Sequence, residues 1–334
     1  MSILCFGEPL MRLATLNHER LDSALNLGVS YCGAETVVAV SLAQQGESAA
    51  FATKLANNRL GTNALMTLTR YGVDVSRVIR SNDRMGIYFS ERGLSIRPSV
   101  VTYDRSGTAM ANALHTDFDW DHLLNGIEVL FFSGVAPAIS EELYLACKEG
   151  LAACKGRGIR TVMDLNYRET MWGSRQNAQR KVSSLLSDVD LLIASEDDII
   201  GYEGVQVETD GVFDYCLSWA KGMLADYSLR GVCTVVRNVD RYDFAAIRGA
   251  MVTREGTWLS GTQHVSVADI SSCGSVFSAA IIHGERCGWD PQFIVDYATM
   301  SSAYKATIYG DYSSATESDI ASLLASGFKP SIRQ

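Results

Sequence analysis

Several things are scarce in this 334-residue chain. It has five histidines and eight scattered cysteines, and no two cysteines stand in C-x-x-C spacing. That excludes a zinc-ribbon framework and any recognisable His/Cys structural metal cluster, and it points to reduced, buried thiols rather than disulfides. No run of about 18 uncharged apolar residues is present, so a membrane-spanning helix is not expected. The first residues, MSILCFGEPL, lack a basic region followed by a long apolar core, so they do not read as a secretory signal, and a cytoplasmic location is expected. Positive charge is not in excess either. A net charge of −9 argues against nucleic acid or an anionic membrane as the main partner. It leaves a phosphorylated ligand open, because local groups can outweigh the global sign. Repeats, low-complexity tracts and long linkers are absent.

What is present is ordinary globular material, 47% hydrophobic and 20% charged. The length suits one large α/β domain, residues 1–334, with a smaller appendage. Strand-like and helix-like segments alternate along most of it. ILCFG, AAFATKL, VLFFSG, RTVMDLN, DLLIAS and GVCTVVRN read as buried strands. Between them lie helical patterns such as ETVVAVSLAQQG and SEELYLACKEGLAACKGRG, the first stopped by a glycine and the second started by Ser140 and two acids. Apolar strands alternating with helices predict a mostly parallel sheet covered on both faces, with ligands beyond the strand C-termini. Two regions, about 9–32 and about 84–105, break the pattern with short strands and no helix, which predicts a small inserted β-lid. The tail KPSIRQ reads as a loose end.

Five stretches carry candidate chemistry. In VTYDR, Tyr103 and Arg105 share one strand face while Asp104 points the other way. A phenol beside a guanidinium suits a ligand with hydroxyls and a carboxylate; a solvated strand with a surface arginine is the plainer alternative. In MDLNYRETMW, Arg168 stands just past a strand end, within reach of an anion or paired with Glu169. Gly33 precedes a helix, where it lets a ligand approach the backbone or merely leads into the helix. SEDD places Glu196, Asp197 and Asp198 in a first helical turn, where acids offset the helix dipole or hold a hydrated Mg2+ indirectly. Finally, VADISSCGSVFSAAIIHGE runs from a strand-like lead through small residues into an apolar helix, a layout suited to anion binding at a helix N-terminus.

Taken together and in this order, GEPLMRL, GAE, GIYFSE, TYDR, SGVAPAIS, DLNYRETMW and the turn Asp269-Ile270-Ser271-Ser272-Cys273-Gly274-Ser275 resemble the ribokinase-like, PfkB family of sugar kinases, most of all its 2-keto-3-deoxygluconate kinases. The resemblance spans nearly the whole chain. It implies a three-layer α/β sandwich with a mostly parallel central sheet and a β-lid that mediates homodimerisation. It implies transfer of the ATP γ-phosphate, with Mg2+, to a sugar hydroxyl. It also implies that Gly33, Tyr88, Tyr103, Arg105 and Arg168 line a sugar-acid pocket, that Ser272, Cys273 and Gly274 form an anion hole, and that Asp198 serves Mg2+ indirectly.

The departures from the family pattern bear on activity. The family turn reads D-T-x-G-A-G-D, and its last aspartate accepts the proton of the sugar hydroxyl. Here Asp269 keeps the leading position, Ser272 replaces a glycine, and Ser275 stands where the base should be. A serine hydroxyl cannot act as a general base near pH 7, and loss of a positioned base costs about 10²–10⁴ in rate. Asp269, six residues upstream, is expected to face elsewhere. Ser271 or Ser272 is expected to cap the following helix. On the nucleotide side, VCTVVR runs into NVDRYDF without the family's glycines, Ala56 and Asn58 replace a G-x-D, and Val37 replaces an asparagine. The expectation is a sugar-acid-binding protein with weak or absent kinase activity. The alternatives are a working keto-deoxy sugar-acid kinase and a structural or regulatory oligomer partner.

Overall fold

The computed structural model describes residues 2–240 and 242–326; the segment KPSIRQ lies outside them. Its strands, in chain order, are β1 (Ser2–Phe6), β2 (Leu10–Thr15), β3 (Leu27–Cys32), β4 (Ala49–Ala56), β5 (Val78–Ser81), β6 (Ile87–Glu91), β7 (Val100–Asp104), β8 (Ile127–Ser133), β9 (Arg160–Asp164), β10 (Leu191–Ser195), β11 (Gly231–Val239), β12 (Phe244–Thr253), β13 (Thr257–Leu259) and β14 (Gln263–Ser266). The main sheet has the order β13-β12-β11-β10-β9-β8-β1-β4-β5, with β14 also paired to β12. From β5 to β11 every pairing is parallel, and β12, β13 and β14 close the far edge antiparallel. This is the expected architecture of crossovers through helices, with an antiparallel flank where consecutive strands meet directly.

Strand residues alternate between two cores, as the period of two requires. Leu4 and Phe6 of β1 face one core, shared with Leu143, Ala146 and Leu151 of the helix Glu141–Arg157. Ile3 and Cys5 face the other, covered by α1 (Ala34–Gln44), α2 (Cys273–Arg286) and α3 (Pro291–Ala306). α2 is buried along most of its length, so its amino end is driven up to the C-terminal edge of the sheet.

The lid is a separate four-stranded sheet in the order β3-β2-β6-β7. It coincides with the two regions predicted from broken periodicity. Arg12 on β2 bonds the Asp311 carboxylate at 2.5 Å, and Ser30 on β3 donates to the same group at 2.7 Å. These bonds tie the lid to the segment after α3.

Two expectations need correction. The lead Val267–Asp269 is not strand; the preceding strand β14 ends at Ser266. The helix α2 has no side-chain cap. Ser271 Oγ donates to Asp269 instead, and Ser272 sits at N-cap with φ +65°, a left-handed backbone in which its side chain does not reach the first N–H groups. Separately, His283 of α2 bonds Glu47 at 2.9 Å and Glu317 at 3.2 Å, and Cys287, one turn on, lies against the His283 ring. Seven of the eight cysteines are buried and all are free thiols. Among the described residues no helix is long and apolar enough to cross a membrane.

Candidate functional site

The C-terminal ends of the parallel strands converge with the lid on two adjoining cavities. The larger, about 230 Å3, lies between the lid and the main sheet. Gly33, Tyr88, Tyr103, Arg105 and Arg168 all line it, so the five residues assigned by resemblance to a sugar-acid pocket come together in space. Ser272 and Ser275 form part of its floor.

Each wall residue has a local reason for its position. Gly33 precedes α1 where a Cβ would lie 2.3 Å from the Glu8 carbonyl oxygen, so no side chain fits. Tyr88 and Tyr103 pair across β6 and β7, with ring centroids 5.6 Å apart. The Tyr88 phenol lies against Cys32 Sγ, and burial pushes its pKa up. Arg105 is not a surface arginine. Its guanidinium grips the Glu8 carboxylate, with Nε at 3.0 Å, and Thr108 donates to the other Glu8 oxygen at 2.8 Å. Asp104, on the opposite strand face, pairs with Arg84. Arg168 pairs with Asp198 at 3.3 Å rather than with Glu169, and its side chain is 47% exposed.

The smaller cavity, about 100 Å3, lies deeper along the sheet edge and is bounded by Asp164, Asp198, Arg237, Ser272, Gly274 and Ser275. Ser275 therefore stands where the two cavities meet. Asp269 lines neither; it accepts from Ser271 and from the Gly310 N–H, facing away as expected. Gly274 and Ser275 are in the first turn of α2, whose N–H groups have no intrahelical acceptor. Cys273, between them and the core, is fully buried, and burial holds its thiol up at about 11. Asp198 is the third residue of a short helix, Glu196–Glu203, where it forms a capping box with Ser195. Both the dipole-offsetting role and the pairing with Arg168 thus fall on this one carboxylate.

Sequence reasoning did not assign several residues here. Glu8 and Arg12 lie inside GEPLMRL, which was read only as a motif. Glu35, fully buried, accepts from the Ser133 N–H at 3.2 Å, and burial raises its pKa. Arg237 ends up beside Gly274; burial works against its charge, but Glu196 foremost among nearby acids outweighs this and keeps it firmly protonated. Past it, β11 and β12 form an antiparallel pair in which the Asp240 N–H donates to the Phe244 carbonyl, so a hairpin occupies the glycine-free segment. Asp164 is the most consequential omission. It ends β9, accepts from Ser278 at 2.9 Å, and is held near neutrality, at about 7, by burial and by repulsion from Asp198. Its place as the first residue of DLNYR was the signal available.

Parallel sheet, inserted lid and a helix mouth at the strand ends define an α/β protein of the sugar-kinase type. The chain belongs to the pfkB family of carbohydrate kinases, whose family model matches residues 1–212. It is 29% identical over 326 residues to a 2-dehydro-3-deoxygalactonokinase of Haloferax volcanii, covering 97% of each chain. The crystal structure of a 2-dehydro-3-deoxygluconokinase from Thermotoga maritima superposes with a TM-score of 0.92 at 33% identity, covering 97% of this chain and 99% of that one. A candidate ribokinase II of E. coli, solved with ATP and Mg2+, shares the fold at a TM-score of 0.81 and 16% identity, covering 97% and 99%.

Proposed function

We propose that this protein binds a keto-deoxy sugar acid between the lid and the sheet and phosphorylates it slowly for want of a carboxylate at position 275. The convergence of Arg105 and Arg168 on one cavity whose floor carries Ser275 supports this reading. Arg105 is fixed by Glu8, while Arg168 is half-exposed and free to turn from Asp198 to a ligand carboxylate. Tyr88 and Tyr103 supply phenols for hydroxyl groups. The orphan N–H groups of Gly274 and Ser275, with Arg237 beside them, suit a phosphate. Those residues would hold the terminal phosphates of ATP, and Asp198 a hydrated Mg2+; bound there, the pair would supply the phosphoryl group and neutralise its charge. Ser275 can hydrogen-bond an acceptor hydroxyl but cannot take its proton.

A second reading rests on Asp164. A carboxylate poised near pH 7, in the same cavity as Ser275, has the pKa a general base needs. If it reaches the acceptor hydroxyl, the protein is a working kinase. Calorimetry with 2-keto-3-deoxygluconate and its galactonate epimer tests the pocket, and an ADP-release assay tests the chemistry. Turnover above about 1 s⁻¹, inside the usual kinase range, sinks the slow-kinase reading. Absence of binding by either sugar acid sinks the pocket and favours a scaffold.

Exposed apolar side chains of the lid, Leu25, Val29, Ile96 and Val100 among them, support pairing of two lids in a homodimer. Sedimentation of the wild type against Val29→Lys tests that: a monomeric wild type at micromolar concentration rules it out.

A further inference from the structure

A cavity of about 570 Å3, larger than the two beside the lid, opens at the opposite edge of the main sheet, where β9 and β11 begin and β12 ends. That volume falls inside the roughly 300–1,000 Å3 of small-molecule sites. Three guanidiniums border it. Arg160 starts β9, Arg230 stands just before β11, and Arg254 just past β12. Parallel pairing of β9, β10 and β11, with β12 antiparallel, brings all three to one edge.

Their charges are unequally matched. Arg160 donates to Glu285, on the last turn of α2, at 2.6 Å. Arg230 and Arg254 are exposed, and neither side chain has a hydrogen-bonded or ionic partner among the described residues. Glu255, the other acid at the rim, is exposed and pairs with neither. Asp190, in the adjoining groove, is taken up by the N–H and hydroxyl of Thr161. The chain carries a net −9, so a general excess of positive charge does not account for unpaired arginines gathered here. The cavity also has an apolar side. Met251 and Ile294 are buried there beside Trp289, whose ring is held edge-on by His283 and Tyr297 at centroid distances of 5.0 Å. Guanidiniums suit phosphate oxygens, and the apolar side suits a flat or hydrocarbon body.

We propose that this cavity is a second ligand site, which takes a small phosphorylated metabolite with an apolar or aromatic body: Arg230 and Arg254 hold the phosphate, and Trp289 and Met251 the body. Asp164 ends β9 roughly 13 Å along the strand from Arg160, so a ligand here is remote from the acceptor hydroxyl. The inference therefore stands independently of the proposed function.

The test uses the full chain with inorganic phosphate and adenosine monophosphate as probes. The indole N–H resonance of Trp289, assigned with Trp289→Phe, reports on this cavity, and the Gly274 amide reports on the other edge. Both probes should shift the indole, and the nucleotide should bind about tenfold more tightly than phosphate, or better. The double variant Arg230→Gln/Arg254→Gln should weaken both probes by about tenfold or more, with melting temperature and sugar-acid affinity unaltered. Arg254→Gln alone should lose part of that affinity. An indole unmoved by either probe at millimolar concentration, or equal affinity in wild type and double variant, would overturn the inference. A shift confined to Gly274 would overturn it too, and a nucleotide bound no more tightly than phosphate would overturn the assignment to an organic phosphate.

Discussion

Under the proposed function, replacing Ser275 by aspartate supplies the carboxylate that this position lacks, and the expected effect follows from the cavity. A positioned base contributes about 10²–10⁴ in rate, roughly 3–5 kcal/mol of barrier. Position 275 is 8% exposed, so the new carboxylate would be largely desolvated. The first turn of α2 favours negative charge by up to about 2 kcal/mol, and Arg237 and Arg168 border the same cavity. Against this, Asp164 and Asp198 already share the space, so a third carboxylate would raise Asp164 further toward its neutral form. The lower end of the range is therefore expected, a gain of about a hundredfold in kcat. The assay is ADP release with 2-keto-3-deoxygluconate from pH 6 to 9, with Ser275→Asn as the same-sized variant lacking a base. If Ser275→Asp changes kcat less than tenfold, while Asp164→Asn lowers it about a hundredfold, the missing base is not limiting and Asp164 has taken its work. If neither substitution matters and both variants bind substrate, a proton acceptor at this site is irrelevant to the rate.

Four further outcomes follow from the same geometry. Asp164 has a native pKa raised above its unfolded value, so between about pH 4 and pH 7 the native state holds more protons and stability falls as pH rises. Asp164→Asn removes that dependence, and urea unfolding should find it more stable than wild type at pH 8 by on the order of 3 kcal/mol, with little difference at pH 4. Arg105→Ala strands the buried Glu8 charge and should cost about 3–5 kcal/mol, part of it recovered when Glu8→Gln is added; equal stability with and without the second change would refute the pairing. Arg168→Ala, at a half-exposed pair, should change stability by under about 1 kcal/mol while weakening sugar-acid binding at least tenfold in calorimetry. Gly33→Ala sets a Cβ against the Glu8 carbonyl, so the backbone must shift, and both the melting temperature and the sugar-acid affinity should fall.

The alternation of apolar strands with glycine-stopped helices was sufficient for a parallel sheet covered on two faces, because the periods of 2 and 3.6 are local properties of the chain. Loss of that alternation at 9–32 and 84–105 located the lid for the same reason. Motif order carried the five pocket residues and the serine at 275, and the fold brings all of them to the two cavities. Tertiary structure decided what each charge meets. Arg105 reads as a surface arginine until β7 is laid over Glu8, 97 residues earlier. Arg168 has Glu169 as its sequence neighbour, yet takes Asp198 from the end of another strand. Asp164 became a second candidate base only through burial at the foot of α2. Periodicity registers which face of an element is apolar. Which ions share a cavity depends on contacts between residues far apart in the chain, and on desolvation that exists only once the layers have closed.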